Sequence, residues 1–267
     1  RLRGQSVNQR EPKVPYGAGD GVPIREEVVE RAGDCVITRN AYGARCLNVE
    51  HLFIADLDFA SPRRPRSWAW LWLGAGAASL ALGHRWGWAL LGVAALLLVR
   101  RRLSATRWEK EPEVAARQQV NHFLEHHPHW RLRLYRTPAG FRLIAEHARF
   151  TPDSEDTQRW FQRLGTDPAY ARLCQLQRCF RARLTAKPWR LGIRERLRPR
   201  PGVWPLDSEE KLARRREWVA RYERQARQYA ACRYLETLGS GVALGELRQA
   251  IELHDRLSQA RSSLPLA

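Results

Sequence analysis

The sequence contains no methionine, not even at position 1, and very little lysine. The absent first methionine leads us to expect a fragment or a misassigned start. Arginine therefore carries nearly all of a formal net charge of +18, because the lysines are only Lys13, Lys110, Lys187 and Lys211. Such a charge favours anionic partners, namely nucleic acids, nucleotides or an acidic membrane surface. The alternative is an arginine-biased genome with no functional meaning.

Paired cysteines are also absent from the sequence. No two of the cysteines stand in a Cys-x-x-Cys motif, and their number is odd: Cys35, Cys46, Cys174, Cys179 and Cys232. Reduced, buried thiols in the cytoplasm fit this pattern better than disulfides do. No secretion signal starts at Arg1, so we expect no export.

The sequence does contain one long hydrophobic segment, at residues 67–99. Its first run extends from Ser67 to Gly83 and its second from Trp86 to Val99. Both are shorter than the roughly 20 apolar residues of a typical membrane span. Arginines flank the segment on both outer sides, so the positive-inside rule predicts a transmembrane helical hairpin in a bacterial inner membrane, with both termini cytoplasmic. The alternative is a buried helical hairpin.

The remaining sequence predicts an α+β fold. Apolar alternation indicates strands at residues 34–38, 44–48, 52–59, 130–137, 141–150 and 180–187, and helical spacing marks residues 113–126, 154–164 and 167–179. From residue 52 onward, with the hydrophobic segment set aside, the order is strand, helix, strand, strand, helix, strand. This order predicts a ferredoxin-like antiparallel sheet, in which the first and third strands are neighbours.

These patterns divide the chain into four parts. We expect a loose N-terminal segment at residues 1–33, and a ferredoxin-like cytoplasmic domain at residues 34–62 and 103–200. The transmembrane hairpin at residues 67–99 would be an insert in that domain. Residues 204–267 would form a C-terminal helical hairpin, whose first helix starts at Asp207 or Ser208 and runs to about Leu238 before Gly239 stops it.

Two aspartates, Asp56 and Asp58, end the first strand of this predicted sheet. Because side chains alternate along a strand, both carboxylates share one face. Two such carboxylates repel each other unless a divalent cation or arginines neutralise them. One hypothesis is therefore a Mg²⁺ or Mn²⁺ site for phosphoryl or nucleotidyl transfer. The alternative is that both aspartates merely balance arginines.

Basic side chains are predicted to form the sheet face that carries no helices. The expected anion-binding residues lie on its strands, its rim and the loop that follows: Arg136, Arg142, Arg181, Arg183, Lys187 and Arg190.

In addition, His122 and His126 are one helical turn apart and could bind zinc. Since no carboxylate or cysteine joins them in a known pattern, the alternative is a helix end with exposed histidines.

Several short segments of the sequence are similar to those of an uncharacterised family of bacterial proteins labelled as transmembrane. They include "ADLD", "YRTPAGFRLIAEH", "DPAYARLCQLQRCFRARLTAKPWRLG" and "LHD", and the similarity covers most of residues 49–266. The order of elements also resembles that of archaeo-eukaryotic primases. This resemblance implies an Asp-x-Asp strand, a Gly-x-His strand and a later acidic residue. Asp56 and Asp58 match the first motif, Arg142 stands where the histidine would be, and Asp255 would be the last carboxylate.

Two functions follow from these observations. The first is a membrane-anchored binding or scaffold module for an anionic ligand, a lipid headgroup or a protein partner. The second is a degenerate, primase-like transferase in which Asp56 and Asp58 hold the metal ion and Arg142 and Arg183 bind the phosphate. Nucleic-acid binding without catalysis is a third, which rests on charge alone. An open pocket holding both carboxylates favours the enzyme, whereas a rim filled by ion pairs favours the module.

Overall fold

The structure, a computed structural model, describes residues 26–59, 69–198 and 208–267. The chain divides into two compact units. One, here named the sheet unit, comprises Arg1–Asp58 and Gln119–Ala267, and the other, the insert unit, comprises Phe59–Gln118. Of the sequence predictions, Ser67 and the first 25 residues of the expected loose segment lie outside the described residues.

The sheet unit contains two four-stranded sheets in which all described pairings are antiparallel. The strands of the first sheet are, in spatial order, Glu27–Ala32 (β1), Cys35–Arg39 (β2), Arg45–Val49 (β3) and Phe180–Arg183 (β7). Those of the second sheet are Ile54–Asp58 (β4), Gly140–Ala145 (β6), Leu132–Arg136 (β5) and Arg233–Leu238 (β8).

The helices confirm the α+β class. They are Ala69–Ala81 (α1), Gly87–His126 (α2), Glu155–Leu164 (α3), Pro168–Gln177 (α4), Glu209–Ala226 (α5) and Arg248–Leu257 (α6). Local sequence sets their ends. The hydroxyl of Ser154 accepts a hydrogen bond from the Thr157 amide at 3.2 Å and so caps α3, and Pro168 opens α4 where no amide donor is needed.

An aromatic cluster joins the two sheets to α3. Phe53, just before β4, stacks on Phe161 of α3 with ring centroids 5.0 Å apart, and it lies 5.6 Å from Phe180 of β7. Trp130 closes the cluster against Phe53 at 5.7 Å. All four side chains are buried, so this cluster contributes strongly to stability by removing large apolar surfaces from water.

The prediction of one ferredoxin-like sheet is wrong in its strand partners. The neighbours β4 and β6 pair as expected, but β7 pairs with β3, where Leu47 lies opposite Ala182, instead of joining β4. The strands β2 and β3 pair with each other, and the free edge of β3 receives β7. Alternation identifies a strand and its buried face, but it does not specify which edge receives the hydrogen bonds.

The predicted C-terminal helical hairpin is also wrong. Helix α5 has Ser208 at its N-cap as expected and buries Trp218 and Tyr222, but it ends at Ala226. Residues 233–238 form β8, which pairs with β5. The helical spacing that continues past residue 226 is overridden because β5 would otherwise leave its backbone donors and acceptors unpaired on that edge. Residues 27–32, assigned to the loose segment, likewise form the edge strand β1.

The predicted transmembrane hairpin is overturned by the helices of the insert unit. Among the described residues, no helix combines the length and the apolar character that a bilayer span requires. Helix α1 has 13 residues, and the apolar part of α2 ends at Val99, directly before arginines 100–102 of the same helix. Gly83 lies in the turn between the helices, and Trp86 is exposed. The membrane anchor and the inner-membrane location that were predicted from this segment are therefore not supported.

Candidate functional site

The two aspartates of β4 lie opposite different residues of β6. Asp56 faces Arg142, and Asp58 faces Gly140. The Arg142 guanidinium makes a bidentate pair with Asp56, since Nε donates to Oδ1 at 2.7 Å and Nη2 donates to Oδ2 at 3.0 Å. Arg142 is only 1% exposed. Burial and the paired carboxylate together make this a strong, geometrically specific ion pair.

The remaining donor group of Arg142 links the two sheets and α6. Its Nη1 donates to the carbonyl oxygen of Arg183 in β7 at 3.0 Å, and it lies 3.3 Å from Nε2 of His254. Because a guanidinium nitrogen only donates, a neutral His254 ring accepts here through Nε2 and carries its proton on Nδ1. That Nδ1 lies 3.1 Å from Oδ1 of Asp255. The chain of contacts Asp56–Arg142–His254–Asp255 thus crosses the interior, and we name it the buried polar chain.

Asp255 ends the buried polar chain as a well-bonded carboxylate. It accepts hydrogen bonds from the Tyr135 hydroxyl at 2.7 Å and from Arg133 Nη2 at 2.8 Å. Burial acts to raise the pKa of Asp255, but the hydrogen bonds from His254 and Tyr135 and the charge of Arg133 outweigh it, so the pKa lies below its ordinary value. Asp255 therefore remains an anion that holds α6 on the face of the second sheet.

The aspartate pair does not fit a Mg²⁺ or Mn²⁺ site. Such an ion needs several oxygen ligands with available negative charge, whereas Arg142 donates to both oxygens of Asp56 and its positive charge repels a second cation. Within the described ranges, no group of three acidic, histidine or cysteine ligand atoms converges at this rim. The geometry supports the alternative in which the aspartates balance arginines.

Asp58 lies at the end of β4 with its side chain exposed. Its pKa is raised, chiefly because neighbouring groups remove part of its water, and further because Asp56 and Asp167 are negative; Lys187 and Arg183 act in the opposite direction. A raised pKa in the folded state means that the ionised carboxylate disfavours folding above the ordinary aspartate pKa of about 3.9.

Replacing Asp58 with asparagine is therefore expected to increase the free energy of unfolding at pH 7. The gain should be within about 0.5 kcal/mol, since water screens an exposed group. It should disappear below about pH 4, where both the folded and the unfolded chain bind the proton. Urea unfolding at pH 7 and pH 3.5 measures the difference, and Asp34→Asn in the exposed β1–β2 turn is the matched control. A loss of stability in Asp58→Asn at pH 7 would contradict this interpretation.

The predicted anion-binding residues are mostly committed to internal contacts. Arg181 pairs with Glu26, and Arg136 Nη1 donates to the carbonyls of Thr137 and Gly140 at 2.8 and 2.9 Å. Lys187, Arg190 and Arg142 are each at most 9% exposed. The Lys187 ammonium lies 5.4 Å from the Trp189 ring centroid. Arg183 lies on β7, which pairs with β3. The basic face of the second sheet is covered by α6 rather than open.

A thiol, an imidazole and a carboxylate also meet in the interior. Cys232 Sγ lies 3.9 Å from Nε2 of His254, whose other ring nitrogen faces Asp255. This order is that of nucleophile, base and orienting acid in thiol catalysis. Both Cys232 and His254 are 0% exposed, so no substrate atom reaches the sulfur in this conformation. The group stabilises the packing of α6. In the sequence, the one signal of this group is a polar residue, His254, at a position where the helical period of α6 is otherwise apolar.

The surface of α6 forms one side of a groove of about 730 Å³, here named the α6 groove. Four arginines line it: Arg133, Arg248, Arg256 and Arg261. Sequence reasoning missed this feature because the contributing residues are far apart along the chain. Neither the α6 groove nor a second groove beside α3 and α4 is lined by Asp56 or Asp58.

Of the three acidic residues that line the α6 groove, Glu146 and Asp255 are paired with arginines, whereas Glu252 is exposed and forms no ion pair with any described residue. Glu146 pairs with Arg131 and Arg133, and Asp255 pairs with Arg133 at 2.8 Å. Arg261 places its guanidinium 4.4 Å from the ring centroid of Tyr234, a cation–π distance. Four arginines against three acidic residues leave the lining of the groove with a net formal charge of +1.

Comparison with protein-family models, with curated proteins and with solved structures finds no match to this chain.

Proposed function

We propose that this protein is a non-catalytic binding protein for phosphate-bearing anions and that the α6 groove is its ligand site. One observation carries the proposal: Arg248 and Arg256 line the groove, are exposed, and form no ion pair with any described residue. By contrast, Arg39, Arg142 and Arg215 of the same unit are buried and each is paired with an acidic residue. Two unmatched guanidinium groups on one concave surface are suited to binding phosphate oxygens.

The groove is also partly preorganised. Arg133 is held by Asp255 at 2.8 Å and its Nε donates to the Tyr135 hydroxyl at 2.8 Å, while its guanidinium lies 4.8 Å from the Tyr234 ring centroid. Arg261 contacts the same ring. Side chains that are already ordered lose less conformational entropy when a ligand binds, so these contacts favour affinity.

Within the described part of the chain, the two reactive groups that could serve transfer chemistry are paired or buried, which favours binding. Both oxygens of Asp56 accept hydrogen bonds from Arg142, and the Cys232 thiol is fully buried. The primase-like alternative requires Asp56 and Asp58 to hold a metal, and neither contributes to the α6 groove. A binding module therefore accounts for the residues without any rearrangement of the buried polar chain.

Calorimetric titration of the full chain with tripolyphosphate and with ATP tests the proposal. We expect binding to both, and the Arg248→Ala/Arg256→Ala double variant should lose at least about tenfold in affinity, because two charge-assisted hydrogen bonds of about 1.5–3 kcal/mol each are removed. Affinity should also fall as salt concentration rises.

The matched control is Arg224→Ala/Arg227→Ala, which removes two exposed arginines from the C-terminal end of α5. It lowers the net charge equally, so it should leave affinity within about twofold of the unmutated chain if the groove is the site. Equal losses in both double variants would show that binding follows total charge alone. No heat with either anion, or tighter binding to a short single-stranded oligonucleotide that ignores the groove substitutions, would overturn the proposal.

A further inference from the structure

A separate group of side chains converges on the exposed face at the end of α2. His122, Glu125 and His126 each offer a ligand atom, and these atoms all lie within 4.8 Å of one another. All three side chains are exposed, and the two imidazole rings have centroids 4.5 Å apart. The spacing of three and four residues places them on one face of the helix. Glu125 is the carboxylate that the sequence pattern alone did not connect with the histidines.

The backbone orients one of the two imidazoles. Nδ1 of His126 lies 2.9 Å from the carbonyl oxygen of His122, so in the neutral ring Nδ1 is protonated and donates. The lone pair of Nε2 is then available to a metal. A hydrogen bond from the second ring nitrogen to a carbonyl is the usual arrangement that fixes a metal-binding imidazole. On the other histidine, Nδ1 lies 3.5 Å from Oε2 of Glu125.

Neighbouring cationic and aromatic groups are engaged elsewhere. Arg163 approaches His127, with Nη1 3.1 Å from Nε2, and the same imidazole lies 4.9 Å from the ring of Trp160. His129 lies near His147, at a centroid distance of 6.1 Å. These residues therefore form a different edge, and the face with His122 and His126 contains one carboxylate. The C-terminal end of a helix carries partial negative charge, which further favours a cation where α2 ends at His126.

We propose that His122, Glu125 and His126 form a binding site for Zn²⁺ or a similar divalent transition-metal ion. Two imidazole nitrogens and one carboxylate oxygen are the donor set that Zn²⁺ accepts, and they leave one position of a tetrahedron for water or for a ligand from another molecule. Mg²⁺ and Ca²⁺ prefer oxygen donors alone, so the site should discriminate against both. It is independent of the α6 groove.

Titration of the full chain with ZnCl₂, in competition with a chromophoric chelator, tests the site. We expect one equivalent to bind, and His122→Ala and His126→Ala each to weaken affinity by about tenfold or more, whereas MgCl₂ should not compete. His129→Ala, which removes an exposed histidine from the next loop, is the matched control and should leave affinity unchanged.

Cobalt provides a second readout that separates this site from thiol binding. With CoCl₂ we expect a visible spectrum without sulfur-to-metal charge transfer, because all five cysteines are buried and none belongs to the cluster. A charge-transfer band, an unchanged affinity in His126→Ala, or an equal loss in His129→Ala would each overturn the proposal. Because the substituted side chains are exposed, far-ultraviolet circular dichroism should show that all variants remain folded.

Discussion

Replacing Arg142 with methionine is expected to lower the free energy of unfolding by about 3 kcal/mol, as measured by urea denaturation at pH 7. Methionine retains much of the length of the side chain, so the loss reflects the charge and its hydrogen bonds more than a cavity. The substitution leaves Asp56 without its partner and removes the donor to the Arg183 carbonyl, which joins the two sheets. We place the effect at the lower end of the range for broken buried pairs because the Asp56 side chain is 28% exposed.

A matched control is available on the surface. Arg159 pairs with Asp156 one helical turn away, and both side chains are more than 60% exposed. Arg159→Met should therefore change stability by less than about 0.5 kcal/mol. In a double-mutant cycle, Asp56→Asn combined with Arg142→Met should cost less than the sum of the single substitutions, since the two groups interact directly. A loss below about 1 kcal/mol in Arg142→Met would contradict a structural role for the buried polar chain.

Replacing Gly239 with alanine is expected to be comparably disruptive, with a loss of about 3 kcal/mol in the same assay. This glycine follows β8 with a φ of +86°, a backbone conformation that disfavours any side chain. An added Cβ would lie 2.1 Å from the carbonyl oxygen of Trp130. The backbone of one segment must therefore shift, which disturbs the edge where β8 meets β5.

Gly192 separates the two causes of that loss. Its φ of +79° is similar, but a Cβ there meets no atom within 4 Å. Gly192→Ala should therefore lose only about 1–2 kcal/mol, the cost of the left-handed backbone conformation. If both substitutions lost the same amount, the close approach of Gly239 to Trp130 would have no energetic consequence, and the packing of this edge would need to be reconsidered.

Local features were predictable where a few adjacent residues determine them. The Ser154 cap, Pro168 at the start of α4, and the strand that ends at Asp56 and Asp58 all follow from short-range hydrogen bonding and side-chain alternation. The neighbouring position of β4 and β6 was also predicted correctly. Partners across long separations were not, because β7 could accept an edge from either sheet with the same pattern of apolar residues.

Functional residues show the same division. The sequence identified Asp56, Arg142 and the pair His122 and His126 as chemically significant, but it left open whether the aspartates hold a metal or arginines. The answer depends on the guanidinium of Arg142 reaching both oxygens of Asp56, a contact between strands 86 residues apart. The α6 groove was missed because Arg133 and Arg256 become neighbours only after α6 packs on β5.

The sequence by itself determined the α+β class, the places where most helices and strands begin, and a strong positive charge that favours anionic partners. The two hydrophobic runs and their flanking arginines also suggested a membrane span, whereas no helix among the described residues is long and apolar enough to cross a bilayer. Only the tertiary structure decided strand partners, the burial of Arg142 and the exposed arginines of the α6 groove. The physical reason is that backbone edges and charged side chains choose partners by distance in space, and short-range sequence patterns contain no information about that distance.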